Sequence, residues 1–207
     1  MVKIEIYVEG GILPNPNHAA QTVNNSAALR EGFHQLLTQE LSIQDFDLVI
    51  KTGSGENQTI SFLKANKENA IALVDLDGQK KPDKLAYLNA IDFEEKAFFM
   101  VQKMEAWILS QPNKIELFGQ QEYLTRKKPE QNIANDPSIH NKHPDSVLNT
   151  LFQRHFTFIK NGKKKKKKYG KLKDAPKLIQ LLDLPQLKTV FTDVKQMILY
   201  IKTSKDA

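Results

Sequence analysis

The sequence predicts an α/β fold in which a mostly parallel sheet is flanked by helices and followed by a helical carboxy-terminal part. Over the first 111 residues, short apolar runs of strand length alternate with stretches of helical spacing. The run from Ala70 to Val74 contains no polar residue, which is typical of a strand covered on both faces. Parallel neighbours need crossover connections, and the predicted helices supply them.

The first predicted elements follow one another in the order strand, helix, strand, helix. Residues 2–8 alternate in the strand period, and residues 12–23, rich in proline and asparagine, predict a loop. Apolar residues at helical spacing behind a capping polar residue predict a helix over 26–41. A second strand is predicted over 46–52, and a partly periodic helix over 56–67.

The next elements complete the predicted sheet. After the apolar strand 70–75, a proline opens a short helix near 83–90. Residues 96–101 are apolar enough for a fourth strand or for the start of the next helix. The strongest periodicity of this half predicts a helix over 101–111.

The composition of the chain changes after residue 125. Residues 126–146 are polar and contain three prolines, which predicts a long loop. A helix over 145–158 is predicted next, then a lysine run, then helices near 174–183 and 186–201.

Length and composition indicate one compact unit. The 207 residues suit an α/β core over 1–125, with the loop, lysine-rich segment and helices of 126–207 packed on it. The absence of cysteine excludes disulfides, thiolate metal sites and a cysteine nucleophile. The amino terminus lacks a signal-peptide core, and no apolar run approaches the roughly 20 residues of a membrane span. We therefore expect a soluble, cytoplasmic protein without a membrane partner.

The positive charge belongs to one segment. Nine lysines lie between residues 160 and 173 with no acid among them, and without them the net charge would be −3 instead of +6. They are Lys160, Lys163, Lys164, Lys165, Lys166, Lys167, Lys168, Lys171 and Lys173. Such a run is most often a solvated, exposed loop, and its alternative role is to hold a phosphate backbone of DNA or RNA.

Two carboxylates follow the apolar strand directly. Asp75 and Asp77 stand at positions i and i+2, which share one side of a strand, and Gly78 closes behind them. Ligands of open α/β sheets bind at this carboxyl end. Two carboxylates held close together are commonly bridged by a divalent cation. The short motif is equally typical of a strand that runs into an ordinary polar turn.

A third carboxylate ends the first predicted strand. Glu9 precedes Gly10 and Gly11, and these glycines, like Gly78, allow the backbone to turn sharply beside a ligand. If both strands are central and parallel, Glu9 lies at the same sheet edge as the two aspartates. Three oxygen ligands there suit Mg²⁺ or Mn²⁺, which can activate a water or a leaving oxygen in phosphodiester chemistry.

Three strings of the sequence carry a family resemblance. Val8-Glu-Gly-Gly11, Val74-Asp-Leu-Asp77 and Met100-Val-Gln-Lys-Met-Glu-Ala-Trp107 together resemble a small bacterial family of unknown function related to Toprim domains. Toprim is the Rossmann-like catalytic fold of topoisomerases, bacterial primases and overcoming-lysogenization-defect (OLD) nucleases. The resemblance covers residues 2 to about 111, with a weaker echo at Lys168-Tyr-Gly-Lys171.

The resemblance implies roles for individual residues. Glu9 would match the Toprim glutamate, a metal ligand or general acid/base, and Asp75 and Asp77 would match the Asp-x-Asp metal ligands. In OLD-type nucleases a later acid and a lysine complete a two-metal site, and Glu105 and Lys171 are the candidates. The family further implies a Mg-dependent nuclease with a phage-defence role beside a partner ATPase.

Two departures from the OLD pattern leave a second hypothesis open. These enzymes usually carry a second acid four residues after the first, where this chain has Leu13, and the glycine-rich turn is interrupted at Ile12. The alternative is a catalytically decayed Toprim-like module that binds nucleic acid or a partner protein. A third hypothesis, an Asp-x-Asp nucleotide-sugar transferase, would require a larger acceptor-binding domain.

Overall fold

The computed structural model describes residues 1–10, 26–53, 55–66, 69–134 and 143–205 and has the predicted α/β fold. The predicted loop 12–23, Gly11 and Leu13 lie outside these residues. The elements of the first half are β1 Val2–Glu9, α1 Ser26–Leu37, β2 Phe46–Gly53, α2 Glu56–Ala65, β3 Ala70–Asp75, α3 Lys81–Tyr87, β4 Ala97–Met100, α4 Met104–Leu109 and α5 Pro112–Gln121. Those of the second half are β5 Thr125–Arg126, α6 Pro144–His155, β6 Phe156–Lys160, β7 Lys163–Lys166, α7 Lys171–Leu181, α8 Leu184–Val190 and α9 Thr192–Thr203.

The main sheet is parallel and has the strand order β2-β1-β3-β4 in the described part of the chain. The chain leaves β1 in one direction to form β2, then returns across β1 to place β3 on its other side. The strand order therefore reverses between β1 and β3. In open α/β sheets this switch point, at the carboxyl ends of the strands, is where ligands bind.

Side chains of each central strand divide between two cores, one on each face of the sheet. In β3, Ile71 and Leu73 join a core that includes apolar residues of α1, α4, α7 and α9. Ala72 and Val74 join a smaller core with residues of α2 and α3. Because neighbouring residues of a strand point to opposite faces, a fully apolar strand is what this two-sided burial requires.

A second, antiparallel sheet with strand order β5-β6-β7 precedes α7. Its hairpin turns through Asn161 and Gly162, whose φ angles are 53° and 70°. Two-residue turns with positive φ at both positions match the twist of paired strands, and Asn-Gly is the pair that favours them. The lysine run was expected to be a loop, but Lys163–Lys166 form β7, a strand with four exposed side chains.

Several predicted helix boundaries are wrong for local reasons. The predicted helix 145–158 ends at His155, because the chain then enters the hairpin. The predicted helix 186–201 is two helices, separated by Phe191 in extended backbone. The helix predicted over 101–111 is shorter in the structure, where α4 spans Met104–Leu109. Pro112 then starts a further helix, which the sequence analysis does not predict.

None of the helices in the described ranges has the length and apolar character that crossing a bilayer requires.

Two neighbouring glycines at the start of α2 allow a matched test of packing. A Cβ added to Gly53 would lie 2.5 Å from the Thr59 side-chain oxygen, whereas one added to Gly55 would meet nothing within 4 Å. We expect Gly53→Ala to lower the free energy of unfolding by about 1–3 kcal/mol through overpacking. Gly55→Ala should change it by less than about 1 kcal/mol, because the lower chain entropy of alanine offsets its weaker preference for the N-cap position that Gly55 occupies. Urea denaturation of both variants checks this, and equal stabilities would contradict it.

Candidate metal centre at the carboxyl edge of the sheet

The site is built around a contact between the ends of β1 and β3. The Asp75 N–H donates a hydrogen bond to Glu9 Oε2 at 3.0 Å, which ties the two strands together at the switch point. Asp75 Oδ1 in turn accepts a hydrogen bond of 3.1 Å from the Met104 N–H, the first residue of α4. Each carboxylate thus uses one oxygen to fix the backbone around it.

Three carboxylates come together beside this contact. Glu9, Glu56 and Asp77 each offer an oxygen, and these atoms lie within 4.8 Å of one another. Glu9 ends β1, Glu56 begins α2, and Asp77 lies in the turn behind β3. We call these three residues the acidic cluster. Hard oxygen donors at this separation are the ligand type that Mg²⁺ and Mn²⁺ take, so the acidic cluster could hold such an ion.

Asp75 is not part of the acidic cluster, and the reason lies in the backbone. Strand alternation would place Asp75 and Asp77 on one side only if β3 continued through Asp77, but β3 ends at Asp75. Asp77 has a φ of 51° and Gly78 a φ of 76°, so the chain turns in the left-handed region immediately after the strand. Gly10, with a φ of 123°, makes the corresponding turn after β1.

A buried lysine already faces the acidic cluster. The Lys84 ammonium, on α3, forms ion pairs with Glu56 and with Asp77, the latter at 3.3 Å. Its side chain is 1% exposed, so the charge is almost fully removed from water. Burial alone would lower the pKa of Lys84, but the hydrogen bond to Glu56 and the charges of both acids raise it. Lys84 is therefore a permanent internal cation at this edge.

Glu105 and Lys171 form a second group next to Asp75. Glu105 is fully buried on α4, and its Oε1 accepts a hydrogen bond of 3.1 Å from the Tyr169 hydroxyl. Lys171 Nζ lies 3.6 Å from the same oxygen. Glu105 Oε2 is buried and has no hydrogen-bond partner among the described residues. An unpartnered buried carboxylate oxygen is costly, and Lys171 is the cation that lies nearest to this carboxylate.

The shifted pKa values link these groups electrostatically. Burial raises the pKa of Asp75 well above its usual range, and the charge of Glu9 raises it further. Burial also raises the pKa of Glu9, although its hydrogen bond from the Asp75 N–H opposes this. Burial would lower the pKa of Lys171, but Glu105 and Asp75 outweigh it and raise that pKa. Such mutual shifts in one place are typical of functional sites.

The nine lysines of the 160–173 segment divide into two groups. Lys167 forms an ion pair of 2.6 Å with the buried Asp174, and Lys171 points to Glu105. Both contacts direct lysines towards the body of the protein. The remaining seven are exposed: Lys160, Lys163, Lys164, Lys165, Lys166, Lys168 and Lys173.

The sequence reasoning missed three members of the site. Glu56 follows Gly53-Ser-Gly55 as the first residue of α2, a position where acids also stabilise the helix dipole. Lys84 lies on a short helix with no sequence feature that distinguishes it from the other lysines. Tyr169 donates its hydroxyl hydrogen bond to Glu105, a contact between distant parts of the chain that no sequence pattern indicates. Of these three residues, only Glu56 could have been identified from the sequence, because it is the first residue of a predicted helix that begins at the same sheet edge.

A comparison with protein families matches residues 17–201 to a domain of unknown function, DUF4276. The match includes every residue of the site except Glu9. The searches of curated proteins and of solved structures found no match. The reported match is not to a Toprim domain, so the Toprim resemblance stays a prediction.

The raised pKa of Asp75 predicts how stability depends on pH. Between the ordinary aspartate value of about 3.9 and the raised value, the Asp75 carboxyl holds up to one proton more in the folded protein than in the unfolded chain. The contribution of Asp75 to the free energy of unfolding therefore falls as pH rises through this window, by up to about 1.4 kcal/mol per pH unit. Asp75→Asn should flatten this dependence in metal-free buffer. Urea denaturation from about pH 4 to about pH 8 measures it, and parallel curves would contradict it.

Removal of Lys84 should leave Glu56 without its ion-pair partner. We expect Lys84→Met to lower the free energy of unfolding by about 2 kcal/mol, because Glu56 loses its cation and Asp77 keeps only Lys103, at 3.8 Å. Mn²⁺ should restore part of this loss by taking the place of the ammonium. The control is Lys81→Met on the same helix, which removes a more exposed ion pair to Asp193 and should cost less than about 1 kcal/mol. Equal losses, with no recovery in Mn²⁺, would contradict the compensating role.

Proposed function

Because the chain belongs to the DUF4276 family, whose function is unknown, we propose its activity from its site: metal-dependent hydrolysis of phosphodiester bonds in DNA or RNA. The observation that carries the proposal is the acidic cluster at the switch point between β1 and β3. A structural ion pair requires only one carboxylate, whereas three carboxylates that converge at a ligand-binding edge are the arrangement that binds a divalent cation.

The donor set fits Mg²⁺ or Mn²⁺. Glu9, Glu56 and Asp77 would hold the ion through hard oxygens, and the partial exposure of all three leaves coordination positions for water and phosphate oxygens. A bound ion of this kind lowers the pKa of a coordinated water and draws charge from a phosphate oxygen.

The other residues of the site act on the substrate or on one another. Lys171, half-exposed beside Glu105, is the cation placed to meet a phosphate oxygen. Asp75 is a positioning residue, because its N–H orients Glu9 and its carboxylate holds the start of α4. Through α4 it also sets the position of Glu105. The exposed lysines of the 160–173 segment supply charge for a nucleic-acid backbone.

This is the chemistry that the Toprim resemblance implies. With that resemblance comes a further proposal, that the protein acts in bacterial defence against phages together with a partner ATPase. It is supported by the Met100–Trp107 string, whose Glu105 lies buried beside Asp75 in the site.

One observation favours a second candidate function, a Toprim-like module that binds nucleic acid or a partner without catalysis. Lys84 pairs with two of the three residues of the acidic cluster, and Lys171 pairs with Glu105. Protein cations thus lie where an active centre would place metal ions. The two candidates differ in whether a divalent ion binds at all.

Substitutions in the acidic cluster test the proposal. We expect Mg²⁺- or Mn²⁺-dependent cleavage of DNA or RNA, reduced at least about 100-fold by Glu9→Gln, Glu56→Gln or Asp77→Asn, because each removes an oxygen ligand. Glu95→Gln is the control, since Glu95 is exposed before β4, at the opposite end of the sheet. Cleavage is followed on labelled DNA and RNA, and Mn²⁺ binding is followed by calorimetry.

The combined outcomes separate the candidates. Mn²⁺ binding that requires the acidic cluster, together with cleavage, supports the hydrolase. No Mn²⁺ binding and no cleavage favour the non-catalytic module. Full cleavage in all three cluster variants would overturn the proposal.

A further inference from the structure

The hairpin formed by β6 and β7 is positively charged on both of its faces. Lys160 lies directly opposite Lys163 in the antiparallel register. Residues opposite each other share a face and neighbours along a strand alternate, so Lys160, Lys163 and Lys165 lie on one face. Lys164 and Lys166 lie on the other. A strand that rested one face on the protein would not distribute its charges in this way.

These five lysines are not neutralised by the protein. Their side chains are exposed, and among the described residues no ion pair within 4.0 Å joins any of them to an acid. Lys167 and Lys171, which follow in the chain, are paired with Asp174 and Glu105 and anchor the end of the hairpin to the body. The hairpin is thus a fixed ribbon whose charges face outwards.

The aromatic side chains near the hairpin do not form a stacking surface for single strands. The Tyr169 ring packs edge-on against Phe152 with centroids 5.7 Å apart, and its hydroxyl binds Glu105. Phe158, on β6, is half-buried and is the remaining aromatic candidate within the described hairpin. Proteins that bind single strands combine charge with several aromatic side chains that stack successive bases. The exposed lysines of this hairpin are not accompanied by such a set of aromatic side chains.

We propose that this hairpin docks into the major groove of B-form duplex DNA, with its two lysine faces against the two phosphate backbones that border the groove. The major groove of B-form DNA admits a two-stranded β-ribbon, whereas that of an A-form RNA duplex is too narrow. The inference rests on the proposed function in one respect, since it makes duplex DNA the substrate. Recognition is through phosphates and is independent of base sequence.

Binding of the full chain to a labelled DNA duplex in EDTA tests the inference without hydrolysis. Five phosphate contacts give a slope of about −4.5 for log K against log salt, so affinity should fall about 100- to 1000-fold between roughly 50 and 200 mM salt. Duplex DNA should bind at least about 10-fold tighter than single-stranded DNA or duplex RNA of equal length. Phe158→Leu should leave duplex binding unchanged.

Two double variants form a matched pair with equal charge on opposite faces. Lys163→Gln with Lys165→Gln, and Lys164→Gln with Lys166→Gln, should each weaken duplex binding and reduce the slope by about 1.8. The triple variant Lys3→Gln, Lys114→Gln and Lys195→Gln removes one charge more than either double variant, from elsewhere on the surface, and should keep the wild-type slope. Circular dichroism confirms that all variants are folded.

Other results of the binding experiments overturn the inference. An effect confined to one double variant indicates that the ribbon lies flat on its partner. Equal loss in the triple control indicates a general charge effect, and tighter binding of single strands that depends on Phe158 indicates stacking. Duplex binding without cleavage would overturn the proposed hydrolysis alone, whereas cleavage with unaltered binding in both double variants would overturn this inference alone.

Discussion

The hydrogen bond from the Asp75 N–H to the Glu9 carboxylate is the contact on which the site depends. It joins β1 and β3 where the strand order reverses, and it places a partly buried carboxylate between the ends of two strands. The other polar features at this edge follow from it. Asp75 holds the first turn of α4, α4 carries Glu105, and Glu9 faces the carboxylates of Glu56 and Asp77.

Carboxylates that converge in a partly buried place repel one another, and the fold compensates for this with three lysines from different parts of the chain. Lys84 comes from the helix after β3, Lys103 directly precedes α4 and lies 3.8 Å from Asp77, and Lys171 comes from the start of α7. The helical carboxy-terminal part therefore contributes to the electrostatics of the site as well as to the core. Because each lysine forms an ion pair with an acid of the site, separate segments of the chain share the neutralisation of charge at this edge.

The fold class and the sheet edge at which the candidate site lies could be predicted from the sequence, because both depend on local patterns. The apolar strand 70–75 has a strong signal, and carboxylates at strand ends fall at one edge of a parallel sheet. The structure does bring Glu9, Asp77, Glu105 and Lys171 to that edge, while their chemical roles stay predictions.

The exact membership of the site could not be predicted, because it depends on the direction of the backbone after each strand and on contacts between distant parts of the chain. The left-handed turn at Asp77 separates it from Asp75, and alternation along a strand contains no information about where the strand stops. Lys84 acquires its role only because α3 packs beside α2. The hairpin was predictable in principle: Asn161-Gly162 is a strong turn signal, but the surrounding lysines, which disfavour strands, concealed it.

The lysines of β7 have a consequence for the solution behaviour of the chain. Within the described residues β7 is the outer strand of its sheet, so one row of its backbone N–H and C=O groups has no neighbouring strand. Such an edge invites another chain to add a strand and aggregate, and closely spaced lysines prevent this by mutual repulsion. Charge in this segment therefore protects solubility, and any polyanion or mutation that neutralises it also removes the barrier to self-association.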